Sequence, residues 1–154
     1  MKPQHFDAES DLPPMPFDDR ICRLAREIKE LGLAWKPHVG CFVWDPEHHI
    51  QPDSPFPGRI YFILSLPRFV GLLGSLGAIS EKLVWLPTWH QAWLLCQRLG
   101  IANGDVIKAR QTKSSLSPCG DLAHVYLSII DRLKNDRQSD VIARGVPKKV
   151  DTEL

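Results

Sequence analysis

Residues 39–66 read VGCFVWDPEHHIQPDSPFPGRIYFILSL. Two runs of β-branched and aromatic residues, 39–44 and 59–66, flank a polar segment that carries Pro46, Pro52, Pro55 and Pro57. Each run stops at a turn former, Asp45-Pro46 after the first and Pro67 after the second, as strands do. The second run is apolar on both faces apart from Tyr61 and Ser65, which predicts a central strand covered on both sides. Prolines lack the amide donor that a ladder needs, so 45–58 is expected to leave the sheet as a stiff Ω-like loop. Connections this much longer than the usual median of about 4–6 residues often have a function.

Helical periodicity surrounds this pair of strands. Ile21, Leu24, Ala25, Ile28 and Leu31 form one apolar stripe after the N-cap Asp18, and Gly32 ends the helix. Pro67 opens a segment expected to make two short helices broken near Gly74–Gly77 and stopped by Pro87. Thr88 and Gln91 are spaced as a capping box for a helix over 89–99 that ends at Gly100. A third strand is expected at 104–110. A last helix follows from about Pro118 to Asn135, with Leu122, Tyr126, Ile129, Ile130 and Leu133 at helical spacing. This order predicts an α+β domain with a small sheet of about three strands packed with four to five helices; a three-layer α/β arrangement is the alternative. Residues 1–16 and 136–154 read as a flexible arm and tail around a folded unit of 17–135.

A chain of 154 residues suggests one domain. Its net charge of +1 provides no global field for nucleic acid or an anionic membrane. The opening MKPQHFDAESDLPPMP has no apolar core and reads as no secretory signal. Export being unexpected, Cys22, Cys41, Cys96 and Cys119 are expected to be reduced thiols in the cytoplasm. They make no C-x-x-C pair, and their spacing fits no standard zinc pattern, so neither metal nor cofactor is expected.

The densest aromatic stretch is EKLVWLPTWHQAWLLCQRLG, residues 81–100. Ala92, Leu95, Cys96 and Leu99 share one helix face, with Trp89 and Trp93 on its flank, which reads as packing. His90 lies off that stripe in the first helical turn, where the dipole favours a neutral ring. Trp35 and Trp44 stand nine residues apart around a helix-to-strand turn, either packed together or exposed as an anchor. Asp45, Glu47, His48 and His49, with His38 and Cys41 just before, gather metal-ligand types, but a solvated turn is the simpler reading. In SPCGD, residues 117–121, Cys119 falls at a helix start, which favours a thiolate. KARQTKSS, residues 108–115, makes a basic patch with Arg98.

No phosphate-loop, dinucleotide or nucleophile-elbow motif is present. VGCFVWDPEHHI resembles the hairpin that opens Nudix hydrolase domains, yet that family's glutamate-rich helix is absent from the sequence, so the family is not assigned. The leading expectation is a non-catalytic protein-interaction module, since tryptophan is enriched at interface hot spots. Its candidate binding residues are Trp35, Trp44, His48, His49, Trp85, Trp89 and His90, beside the 45–58 loop. The partner is expected to be a protein, either another protein or a second copy of the chain, and neither a membrane nor nucleic acid. Two rivals remain: a thiol- or metal-assisted hydrolase using Cys119 and His90, and phosphate or nucleic-acid binding at 108–120.

Overall fold

A computed structural model describes residues 16–102 and 118–145, with side chains for 16–102 and 122–140. The expected strand at 104–110, the basic patch at 108–115, residues 1–15 and 146–154, and the Cys119 side chain lie outside the described residues. Helix α1 spans Asp19–Glu30, and the Asp18 carboxylate accepts from the Ile21 amide at 2.8 Å, as the sequence implies. Its end is a Schellman motif. The Gly32 amide donates to Lys29 O and the Leu33 amide to Ile28 O, and Gly32 adopts φ 90°, where a side chain would be strained.

Three short strands make one antiparallel sheet: β1 Phe42–Trp44, β2 Ile60–Phe62 and β3 Val84–Leu86, in the order β2-β1-β3. Phe42 faces Phe62 and Leu86, and Val43 faces Tyr61 and Trp85. Because side chains alternate, each register row belongs to one face of the sheet. Ile60, Val84 and Leu86 pack into a core with α1 and the last two helices. Val43, Tyr61 and Ile63 pack into a second core with the helices that follow β2. The architecture is α+β, with five helices on both faces of a three-stranded antiparallel sheet among the described residues.

Two strand expectations are corrected. Among the described residues the run 59–66 lies at the sheet edge, and only its first part stays in the ladder, Ile60–Phe62 with Ile63 still bonded to Cys41; Leu64 beyond it is exposed. β1 takes the centre because β3 forms on its other side. That strand, Val84–Leu86, lies where the helical run was expected to continue to Pro87. Three residues are too few to display a period of two in the sequence.

The remaining helices follow the expected breaks. Helix α2 spans Leu66–Leu73 with Pro67 in its first turn, and α3 spans Leu76–Lys82, capped by Ser75. Gly74 separates them at φ 108°. Lys29 of α1 donates to the carbonyls of Glu81 and Leu83, closing the exposed end of α3. Helix α4 spans Trp89–Arg98 and carries the full Thr88–Gln91 capping box. Helix α5 spans Pro118–Gly145, ten residues beyond the expected end at Asn135. Its buried part is Leu122–Ile130, where Tyr126 donates its hydroxyl to Pro87 O.

Candidate functional site

The proline-bearing loop is built around one buried carboxylate. Asp45 is 0% exposed. It accepts from the amides of His49 at 2.9 Å and Ile50 at 2.8 Å, and from Arg59 Nη2 at 2.7 Å. Arg59 also donates Nε to Asp45 O at 3.1 Å and Nη2 to Ile50 O at 2.7 Å. Burial alone would raise the Asp45 pKa. The Arg59 hydrogen bond and the two amides outweigh burial and hold the carboxyl below its ordinary value. Arg59 itself sits at φ 60°, a left-handed backbone that costs a non-glycine residue roughly 1–2 kcal/mol. These bonds hold it there. The far side of the loop is fixed by Tyr61, whose hydroxyl donates to Pro52 O at 2.7 Å, and by Ser54, which donates to Ile60 O.

The rigid loop walls a groove of about 340 Å³ against β2 and α2. Pro52, Asp53, Pro55 and Phe56 line the loop side, and Arg68, Phe69 and Leu72 the helix side. Leu64, 74% exposed, and Leu72, 38% exposed, stand on its rim. Phe56 and Phe62 are tied to the core through Phe42, with ring centroids at 6.0 and 4.7 Å. The groove is thus an apolar trough on a stiff frame, with one cation and one carboxylate in its lining. A wider hollow of about 580 Å³ lies between α1, α3 and the start of the loop. It mixes Arg26, Lys29, Lys82, Glu30, Glu47 and Glu81, so its charges largely offset one another.

The candidate binding residues do not converge. Trp35 stacks on Trp85, not on Trp44, with centroids 5.9 Å apart and planes 14° apart. Both are partly buried, and their indole N–H groups are buried without a hydrogen-bond partner among the described residues. Trp44 points to the opposite face, since it pairs with Val84 and its ring lies 4.6 Å from the Arg26 guanidinium. His48 and His49 are exposed on the loop, and His49 lines the charged hollow. Trp89, 40% exposed, and the exposed His90 lie on the first turn of α4. The Ala92–Cys96 stripe is buried, as its spacing implies.

Sequence reasoning named the loop but missed what makes a site of it. Asp45 read as the start of a solvated turn, whereas it is the anchor of the loop. The available signal was an acid and an arginine at the two ends of a proline-rich segment. Leu64 read as part of a strand, and its exposure depends on the chain leaving the sheet after Ile63, whose amide still donates to Cys41 O.

The Cys41 sulfur lies 3.3 Å from His38 Nδ1 and 3.5 Å from Nε2. Cys41 is fully buried. Burial raises its thiol pKa, more than the hydrogen bond at His38 lowers it, so this pair does not hold a ready thiolate. Among the described residues no three His, Cys, Asp or Glu side chains group as metal ligands. No described helix is long and apolar enough to cross a membrane. Comparison with protein-family models, curated proteins and solved structures finds no match to this chain.

Proposed function

We propose that this chain is a non-catalytic protein-interaction module whose docking face is the groove between the 45–58 loop and α2. One observation carries the reading: two leucines, Leu64 and Leu72, are exposed on the rim of a preformed apolar trough whose wall is locked by Asp45 and Arg59. A rigid wall lowers the ordering cost of binding, and exposed apolar side chains around a concave site supply the area to be buried. The tryptophans take a different part from the one their sequence suggests. Trp35, Trp44 and Trp85 are partly buried in the frame, and of the five tryptophans Trp89 alone is exposed. The free thiols of Cys22, Cys41 and Cys96 support a reducing, cytoplasmic setting.

The test is selection of short peptides from a displayed random library by the full chain, followed by backbone amide shifts in the labelled protein. The expected shifts cluster at residues 52–72. Leu64→Asp and Leu72→Asp are expected to abolish binding while leaving the melting temperature unchanged. Shifts centred on Trp89 and His90, or on the charged hollow, would overturn the reading.

A further inference from the structure

Tyr61 and Phe62 are neighbours in β2 and point to opposite faces of the sheet, yet both line the groove. A cleft lined by two successive residues of opposite facing runs along the edge of the strand. The ladder determines what that edge offers. The Asp45 amide donates to Arg59 O at 3.0 Å and the Ile63 amide to Cys41 O at 2.9 Å. Arg59, Tyr61 and Ile63 therefore turn their backbone groups toward β1. By the alternation of an antiparallel ladder, Ile60 and Phe62 turn theirs outward. The Ile60 carbonyl is taken by Ser54. Among the described residues no strand pairs with the outward edge at Phe62.

The charge on the groove adds direction. Arg68 lies in the first turn of α2, exposed and without an ion pair among the described residues. Ser65, which precedes the helix, makes no capping hydrogen bond, so the first-turn amides lack that acceptor. An arginine beside an uncapped helix start suits a carboxylate.

We propose that the occupant is an extended segment of a partner protein that adds to the open edge of β2 at Phe62 and sets an acidic side chain against Arg68. This rests on the groove being the docking face. Backbone pairing gives such a segment its register, and alternate side chains fall toward Phe56 on one side and toward Phe69 and Leu72 on the other.

The test uses the full chain and short selected peptides with amidated C-termini. Methylating single peptide nitrogens is expected to weaken binding about tenfold at an alternate position and little at its neighbours. Arg68→Glu should weaken acidic peptides about tenfold, and Lys in place of the acid should restore them. Indifference to Arg68→Glu overturns the acidic anchor. Even tolerance of methylation, with binding still lost in Leu72→Asp, keeps the groove and overturns strand addition. Peptides that bind Leu72→Asp as well as the parent chain overturn both readings. A dimer in sedimentation that Leu64→Asp dissolves, with no peptide bound, makes a second copy the occupant and overturns the partner segment.

Discussion

Asp45 is the residue on which the candidate site depends. Its carboxylate is removed from water and is held by Arg59 and two backbone amides. Removing one partner of such a set leaves a partly buried guanidinium without its counter-charge. Asp45→Asn is expected to cost about 2–3 kcal/mol in chemical denaturation and to weaken peptide capture by loosening the groove wall. The same residue sets an acid dependence. Its folded pKa lies below the ordinary 3.8, so its contribution is complete above that value and is lost as pH falls through the lower folded one. The stability of the parent chain should therefore drop below about pH 4, and Asp45→Asn should show a shallower acid limb in the same titration. Tyr126 is a second buried polar residue of consequence. It is fully buried and donates to Pro87 O, tying α5 to the end of β3. Tyr126→Phe leaves that carbonyl without its donor and should cost about 1–2 kcal/mol by the same measurement.

At the scale of elements, the helices were legible and the strands only partly so. Capping chemistry is local, so Asp18, Gly32 and the Thr88–Gln91 box mark their helix ends from sequence. Thr88→Ala removes one half of the box and should lower stability by about 1 kcal/mol, read from thermal unfolding. Strands of three residues carry no period, and which of them lies in the centre is a matter of pairing, not of composition. The expected central strand became an edge because β1 pairs on both sides. Helix α5 shows the converse limit. Its apolar stripe ends near Leu133, so periodicity stops there, yet the helix continues to Gly145 with exposed side chains over 134–140. An i,i+4 pair, Arg132–Asp136 at 3.4 Å, and Lys134 on Glu27 at 2.9 Å accompany that extension. Exposed pairs of this kind contribute little. A chain ending at Asn135 is expected to lose less than about 1 kcal/mol, which a comparison of denaturation midpoints would check.

At the scale of the whole molecule, a sheet that has three short strands among the described residues separates two apolar cores. The thiols report on that packing. Cys22, Cys41 and Cys96 are buried. Burial, with Asp19 and Asp18 adding to it, pushes Cys22 up to about 12. Alkylation of the native chain near neutral pH should therefore leave these three unmodified, and denaturant should release them together, a result readable by mass spectrometry. Rapid native modification of any of the three would contradict the packing. The sequence by itself determined the amphipathic helices, their caps and stops, and a stiff proline-bearing loop between two β-type runs, because all of these follow from backbone and periodic constraints within a few residues. Only the tertiary structure decided that Asp45 meets Arg59, that Trp35 meets Trp85, and that one edge of β2 opens into a groove. Those outcomes depend on which distant segments share a face, and side-chain spacing along the chain carries no record of that.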